Sequence, residues 1–312
     1  MLDKLEYFGK HRKPCFFVVN FDKSEFYVES LDKLDSDVLF SLDNQTFKSS
    51  KKISYSFKAV EFKKYKDAFD KVQEHIKSGN SYLLNLTFPS ELFIKEDLKT
   101  IYEISSARFK LYFKDKFVCF SPERFINIKD NTIYTYPMKG TIDATIADAK
   151  KKILANQKEM AEHTMVVDLL RNDLNMVSKD VKVEKFRYVE KILAGERELL
   201  QVSSKISGKL EEGWQNRLGE ILNKLLPAGS ITGTPKRKTV EIIKEVEGYD
   251  RDWFTGVFGV FDGESLDSAI MIRFVEKKDG KLFYKSGGGI TIDSDAKSEY
   301  KELKEKVYVP IF

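Results

Sequence analysis

Four glutamates in this 312-residue sequence form two pairs with the spacing of one helix face. Glu159 and Glu162 precede a strongly apolar helical stretch, and Glu299 and Glu302 lie in a lysine-rich one. Residues three apart share a side of an α-helix, although most such pairs are solvated surface charges. If the two helices face each other, four carboxylates converge and require a hard cation such as Mg²⁺. That metal would in turn hold an anionic substrate.

A lysine and a fifth glutamate form a second candidate for chemistry. Lys139 lies in residues 137–141 (PMKGT), a predicted turn, and Glu123 precedes it in SPERF at 121–125. A turn predicted at Lys129-Asp130-Asn131 would bring both side chains to one end of a sheet. Most lysines in turns are solvated, whereas a partly desolvated lysine has a lowered pKa and is nucleophilic near neutral pH. Spacing alone leaves both interpretations open.

Two segments rich in small residues are candidates for backbone contacts with a ligand. Residues 227–236 (PAGSITGTPK) precede a predicted helix with Pro235 in its first turn. Such a loop is either an anion site formed by free N–H groups or a plain connection. Gly287, Gly288 and Gly289 end a predicted strand and permit close approach by a ligand.

The composition is that of an ordinary globular protein. Hydrophobic residues make up 42% of the chain, and the net charge of +4 comes from basic residues scattered among acidic ones, so nucleic acid is not an expected partner. Apolar runs are too short for a signal peptide or a membrane span. Cys15 and Cys119 indicate buried thiols of a reducing compartment, and no Cys/His zinc spacing occurs. We therefore expect a cytoplasmic protein without a membrane partner.

Hydrophobic periodicity predicts a single domain over 1–312, with strands in 1–60 and the catalytic core in 61–312. Helices are predicted at 61–79, with Gly79 as the C-terminal cap, near 97–107, and at 144–177, 212–225, 235–247 and around residues 299–302. Strands are predicted at 81–87, 109–120, 124–128, 132–136, 181–186, 200–210, 255–262, 266–276 and 281–286.

Six separated motifs resemble those of the chorismate-utilising enzymes, in the order found in that family. They are GNSYLLNLT (79–87), SPERF (121–125), PMKGT (137–141), EMAEHTMVVDLLRND (159–173), PAGSITGTPK (227–236), and IRF with GGGITIDSDAKSEYKE (272–274 and 287–302). The family includes anthranilate, aminodeoxychorismate, isochorismate and salicylate synthases. The resemblance covers about residues 60–307 and implies an α+β chorismate-binding fold, in which two large antiparallel sheets pack as a sandwich with helices outside.

The resemblance also implies roles for individual residues. Glu162 and Glu302 match the Mg²⁺ ligands of the family. The neighbouring carboxylates, which act directly or through water, are Glu159 and Glu299. His163 matches an active-site histidine. The residues that match substrate contacts are Gly140, Thr141, Phe254, Arg273, Gly287, Gly288 and Gly289. Among them Arg273 matches the arginine that binds a substrate carboxylate, and Phe254 replaces a usual Tyr or Trp.

Lys139 separates the members of the family. Anthranilate synthases resemble Pro-Ile-Ala-Gly-Thr at this motif, whereas aminodeoxychorismate synthases have Pro-Ile-Lys-Gly-Thr, and Met138 conserves the volume of Ile. The second resemblance implies that Lys139 attacks the chorismate ring and expels the 4-hydroxyl, which Glu123 protonates, before ammonia displaces the lysine. Leu83 stands where isochorismate synthases have a water-activating lysine and the amination enzymes commonly have glutamine.

The expected function is therefore Mg²⁺-dependent amination of chorismate to 4-amino-4-deoxychorismate, for p-aminobenzoate and folate synthesis, as in component I of the aminodeoxychorismate synthases. Ammonia is expected from a separate glutamine amidotransferase, because neither cysteine lies in a recognisable nucleophile motif. Anthranilate synthase component I is the alternative, followed by a catalytically silent binding subunit and, remotely, a nucleic-acid-binding protein. Tryptophan feedback is not expected, because the region that can bind tryptophan in the family is abbreviated.

Overall fold

Two antiparallel sheets form the framework of the protein, described by a computed structural model over residues 1–43, 53–194 and 197–310. The strands are β1 (Cys15–Val19), β2 (Phe26–Ser30), β3 (Val38–Ser41), β4 (Ser56–Lys58), β5 (Leu83–Phe93), β6 (Phe109–Phe113), β7 (Phe117–Ser121), β8 (Arg124–Lys129), β9 (Thr132–Thr135), β10 (Met138–Asp143), β11 (Lys179–Ala194), β12 (Arg197–Lys209), β13 (Gly233–Thr234), β14 (Val257–Phe261), β15 (Leu266–Ile270), β16 (Phe274–Lys278) and β17 (Lys281–Ile290).

Helices cover the outer surfaces of these sheets. They are α1 (Leu2–Lys10), α2 (Phe62–Lys77), α3 (Leu98–Ile104), α4 (Ala149–Ala155), α5 (Gln157–Asn175), α6 (Leu218–Leu225), α7 (Lys236–Val246) and α8 (Ala296–Glu305), with short 3₁₀ turns at Leu31–Lys33, Trp214–Arg217 and Gly229–Ile231. In the part of the chain that the structure describes, no helix combines the length and apolar character needed to cross a membrane.

The two sheets pack face to face. In the described residues the first has the order β10-β12-β9-β8-β15-β14-β1-β2 with β11 paired to β12, and the second has the order β13-β5-β17-β16-β7-β6-β3 with β4 paired to β5. Phe16 and Val18 of the first sheet share a core with Phe117, Cys119 and Phe274 of the second. The predicted α+β sandwich with outer helices is confirmed.

Strand β1 shows how the helices are held outside the sandwich. All five of its residues are buried, because it is covered on both faces, as a continuous apolar run requires. Phe16 and Val18 face the other sheet, whereas Phe17 joins a core with Leu5 of α1 and Leu218 of α6. The strand also pairs with β14 from the far end of the sequence.

Helix α1 was not predicted, because a nine-residue helix is marginal in isolation and its stability comes from packing. Leu5, Phe8 and Gly9 are its buried residues. A Cβ atom on Gly9 would lie 1.9 Å from the carbonyl oxygen of Gln215. Glycine therefore permits the close contact that holds the helix against the 214–217 turn.

Of two hairpin turns with positive φ, the sequence predicted one and missed the other. The turn at Asp130 and Asn131, with φ of +50° and +53°, is confirmed. The single strand predicted at 109–120 is wrong, because Lys114 and Asp115 form a second such turn with φ of +49° and +50°. A two-residue turn of this kind needs positive φ at both positions, and lysine does not signal it.

Four other predictions differ from the structure. The helix predicted at 144–177 is interrupted at Asn156, whose side chain caps α5. Lys139 lies in strand β10, at a register irregularity between residues 138 and 141, rather than in a turn. Residues 287–289 continue β17 beyond its predicted end, because they pair with residues 85–87 of β5. Pro235 precedes α7 instead of lying in its first turn.

Candidate active site

Two capped helix N-termini place the glutamate pairs. Asn156 accepts a hydrogen bond from the backbone N–H of Glu159 at 3.1 Å, so that Glu159 lies in the first turn of α5. Asp295 accepts one from the backbone N–H of Ser298 at 2.9 Å, and Glu299 lies in the first turn of α8. Each cap satisfies a free backbone donor and fixes where its helix begins. Each pair therefore projects from the start of a helix.

The glutamate side chains lie close to the backbone of two glycines. A Cβ atom on Gly140 would lie 3.2 Å from Oε2 of Glu159. A Cβ atom on Gly288 would lie 3.3 Å from Oε1 of Glu302 and 3.5 Å from Oε2 of Glu299. Gly140 also has a φ of +87°, which side-chain-bearing residues rarely adopt. The structure thus brings the carboxylates of α5 and α8 onto β10 and β17.

Ammonium groups lie between the carboxylates. Nζ of Lys139 is 3.2 Å from Oε2 of Glu162. Nζ of Lys158 is 3.3 Å from Oε1 of Glu299 and 3.9 Å from Oε1 of Glu162, so it connects the two helices. Lys158 was missed in the sequence, although its position four residues before Glu162 is the spacing of a helical ion pair.

Lys306 and Arg273 are two further cationic residues of the site. Nζ of Lys306 is 2.6 Å from Oε1 of Glu302 and donates to the carbonyl oxygen of Gly287 at 2.8 Å. Arg273 has a φ of +53° and donates from Nε to the hydroxyl of Tyr308 at 3.3 Å. Its Nη1 and Nη2 atoms have no hydrogen-bond acceptor among the described residues. This guanidinium can therefore bind an anionic group.

Charge crowding changes the protonation behaviour of the cluster. Burial raises the pKa of Glu159, and the neighbouring carboxylate of Glu162 raises it further. Burial alone would lower the pKa of Lys139, but Glu162, Glu302 and Glu159 outweigh it and the pKa is raised. The direction is the opposite of the lowered pKa that we expect for a lysine nucleophile.

The donor chemistry of the cluster fits a hard divalent cation. As the side chains stand, no three His, Cys, Asp or Glu residues of the described ranges are arranged to hold a metal. The carboxylates are contacted instead by the ammonium groups of Lys139 and Lys158. Glu162 and Glu299 are nevertheless 8% and 4% exposed, and buried carboxylates in excess of their counter-charges are the oxygen ligands that Mg²⁺ prefers.

Glu123 lies in the connection between β7 and β8, and its environment favours the acid form. Oε1 accepts a hydrogen bond from Oγ of Ser230 at 2.6 Å. Burial raises the pKa of Glu123, although this hydrogen bond and the charge of Lys139 act in the opposite direction. The sequence drew attention to the loop 227–236 but not to Ser230, because a contact across more than a hundred residues leaves no local pattern.

His163 of α5 is fully buried and contacts residues of β11 and β12. Its Nε2 and Oγ of Ser204 are 2.6 Å apart, and its ring lies edge-on to Phe186 with centroids 5.8 Å apart. Burial, assisted by the charge of Arg187, lowers the pKa of His163 to about 4. The imidazole is therefore neutral at neutral pH.

Gln201, also missed in the sequence, fixes the backbone beside Lys139. It accepts a hydrogen bond from Oγ1 of Thr141 at 2.7 Å and donates one to the carbonyl oxygen of Gly140 at 2.9 Å. Its position on β12, opposite Thr141 in the antiparallel pairing, explains this contact. The geometry of the Gly140-Thr141 backbone thus depends on a residue from another strand.

Gly289 and Leu83 define the immediate surroundings of the Lys139 amine. A Cβ atom on Gly289 would lie 3.0 Å from Nζ of Lys139 and 3.0 Å from Cδ1 of Leu83. Leu83 is 1% exposed and has no polar atom to activate water. Lys139 is therefore the basic side chain at this point of the site.

Phe254 is not brought together with the other candidate residues. Its side chain is 3% exposed and belongs to the core between the sheets. Its ring centroid is 5.8 Å from that of Phe274. A contact between Phe254 and substrate remains a prediction without geometric support.

Comparisons with known proteins identify the family of the chain. A sequence model of the family described as chorismate binding enzyme matches residues 7–311. An uncharacterized PabA-like protein of Haemophilus influenzae is 46% identical over 99% of this chain and 96% of its own length. Aminodeoxychorismate synthase component 1 of Bacillus subtilis is 32% identical over 78% of this chain and 54% of its own, so the chain spans about half of that relative.

A solved structure shows the same fold. Anthranilate synthase component I from Streptococcus pneumoniae superposes with a TM-score of 0.69 and 25% identity, over 81% of this chain and 58% of that one. The family match covers nearly the whole sequence. The glutamate pairs, Lys139 and the glycine backbone all lie within it. The protein therefore belongs to the family of chorismate binding enzymes.

Proposed function

We propose that the protein is a Mg²⁺-dependent aminodeoxychorismate synthase component I, which converts chorismate and ammonia to 4-amino-4-deoxychorismate and water for p-aminobenzoate and folate synthesis. The observation that carries the proposal is the position of Lys139. Its amine lies against Gly289, beside the apolar Leu83 and within 3.2 Å of Glu162. No water-activating side chain stands at the Leu83 position, which favours lysine as the nucleophile.

In the proposed reaction the unprotonated amine of Lys139 forms a bond to a ring carbon while the C4–O bond breaks. Glu123 supplies the proton with which the 4-hydroxyl leaves as water. Ammonia then forms a bond to C4 while the bond to Lys139 breaks. The added nitrogen loses one proton, which restores the acid, and the lysine is regenerated.

The charges of the site suit a substrate with two carboxylates. The Nη atoms of Arg273, which have no acceptor in the described ranges, and the ammonium of Lys306 offer donors to anionic groups. Glu162 and Glu302, with Glu159 and Glu299 beside them, would hold Mg²⁺. When bound there, Mg²⁺ supplies positive charge that offsets carboxylate repulsion and holds a substrate carboxylate.

Ammonia, in this proposal, comes from a separate glutamine amidotransferase. Hydrolysis of glutamine by cysteine requires an accessible thiolate. Cys15 and Cys119 are both buried, and burial raises the pKa of Cys15 to about 12 and that of Cys119 further. Neither is suited to this role. Release of ammonia from glutamine by the purified chain alone would refute the need for a partner.

The test is incubation of the purified chain with chorismate, Mg²⁺ and an ammonium salt at mildly alkaline pH, with products identified by mass. We expect aminodeoxychorismate that retains its pyruvyl group, and a loss of at least about 1,000-fold in rate for Lys139→Ala. Lys151→Ala, at an 85% exposed side chain on α4, is the matched control and should be unaffected. Anthranilate and pyruvate as products would instead identify an anthranilate synthase.

A further inference from the structure

We infer that Ser230 is a positioning residue that determines which oxygen of the Glu123 carboxyl carries the proton delivered to the leaving hydroxyl. This inference rests on the proposed role of Glu123 as the acid. It assigns a function to the 227–236 loop, for which sequence alone left an anion site and a plain connection open.

The hydrogen bond to Ser230 distinguishes the two carboxyl oxygens. Oγ of Ser230 donates to Oε1 of Glu123 at 2.6 Å. In a carboxylic acid the carbonyl oxygen accepts hydrogen bonds better than the hydroxyl oxygen does. We therefore infer that the acidic proton resides on Oε2. The rest of Glu123 is fixed as well, because its N–H donates to Oγ of Ser121 and its carbonyl oxygen accepts from the N–H of Ile270.

Ser230 is itself held from both sides. It is the central residue of the 3₁₀ turn Gly229–Ile231, and its carbonyl oxygen accepts a hydrogen bond from Nδ2 of Asn85 at 3.0 Å. The next carbonyl, that of Ile231, accepts from Nη1 of Arg251 at 2.9 Å. The hydroxyl is therefore presented by a constrained backbone rather than by a mobile loop.

Arg251 connects this turn to β5. Its Nη2 donates to the carbonyl oxygen of Asn85 at 2.6 Å and to Oε1 of Glu247 at 2.7 Å. Glu247 in turn accepts hydrogen bonds from the N–H and Oγ1 of Thr87, both at 2.8 Å. The guanidinium of Arg251 thus fixes the position of Asn85 relative to the Ser230 turn. Leu83, in the same strand as Asn85, lies beside the Lys139 amine.

Removal of the Ser230 hydroxyl has a predictable sign. A hydrogen bond donated to a carboxylate stabilises its ionised form, so its loss raises the pKa of Glu123. The positive charges of Lys139, Arg273 and Lys306 also lower the pKa of Glu123. None of them is altered by substitution of Ser230.

The experiment compares pH–rate profiles of chorismate consumption for the wild type, Ser230→Ala and Ser230→Thr. The limb that belongs to Glu123 is identified as the one that Glu123→Gln abolishes. For Ser230→Ala we expect that limb at higher pH and a kcat lower by roughly tenfold, because a charge-assisted hydrogen bond is lost. Ser230→Thr retains the hydroxyl and should restore both values.

Thr232→Val is the matched control, because among the described residues Oγ1 of Thr232 bonds only to the carbonyl oxygens of Ala228 and Gly229 in the same loop. It should lower the melting temperature without moving the Glu123 limb. The inference would be overturned if the Glu123 limb of the pH–rate profile did not move in Ser230→Ala, or if kcat fell equally in Ser230→Ala and Thr232→Val. Either result would leave the proposed function standing. Absence of chorismate turnover by the wild type would overturn both.

Discussion

Two groups of buried charges in this protein differ in how completely they are neutralised. Glu247 and Arg251 form a bidentate pair in which both side chains are 1% exposed. The remaining guanidinium donors bond to the carbonyl oxygens of Asn85 and Ile231 and to Oγ1 of Thr255. Every charge there has a partner, and the pair is closed to solvent.

The cluster at the active site is neither balanced nor closed. Four carboxylates of α5 and α8 face three ammonium groups, those of Lys139, Lys158 and Lys306. The side chains of Lys158 and Glu302 are 51% and 49% exposed. A balanced buried pair holds backbone in place, whereas an open cluster with excess charge indicates a site for a charged ligand. We therefore expect substitutions in the Glu247–Arg251 pair to affect stability, and substitutions in the cluster to affect activity or ligand binding.

Arg251→Ala should have the largest effect, on stability. It leaves Glu247 buried without a counter-charge and removes hydrogen bonds to two carbonyl oxygens. We expect a loss of about 3–5 kcal/mol in the free energy of unfolding, measured by urea denaturation. Arg217→Ala, which breaks a pair at 45% and 38% exposure, is the control and should cost less than about 1 kcal/mol. Equal losses of unfolding free energy in the two variants would contradict the distinction between a buried and an exposed ion pair.

Glu162→Gln should affect activity rather than stability. It removes one carboxylate from an excess of negative charge, so the free energy of unfolding in EDTA should be unchanged or higher. Turnover of chorismate should fall by about 100-fold, because a proposed metal ligand is lost. Comparison of urea denaturation with initial rates separates the two effects. Marked destabilisation at full activity would mean that the cluster is structural.

Lys158→Met should have the smallest effect, on metal affinity. The ammonium of Lys158 connects Glu162 and Glu299, and it therefore competes with a divalent cation for those oxygens. Its removal should tighten Mg²⁺ binding by about fivefold, as measured by calorimetry, because an exposed ion pair contributes about 1 kcal/mol. Lys151→Met, on α4 and ion-paired with Asp148, serves as the control. Weaker Mg²⁺ binding by Lys158→Met would show that Lys158 supports the metal instead.

Local sequence determined the elements that carry the chemistry. The i, i+3 spacing put each glutamate pair on one helix, and Asp130-Asn131 specified a turn. Each of these features depends on residues within a turn or two of one another, so residue type and spacing suffice. The sandwich fold was expected from the family resemblance of the six motifs, and the local pattern alone did not predict it.

Only the tertiary structure decided how those elements meet. Pairing with β12 places Lys139 in strand β10, and pairing with β5 extends β17 through the three glycines. Both segments have the composition of turns. Ser230 reaches Glu123 across the fold, and three other glutamates raise the pKa of Lys139 where its burial alone predicts a fall. These outcomes depend on distances between residues far apart in the chain, and electrostatic energy varies with those distances rather than with sequence separation.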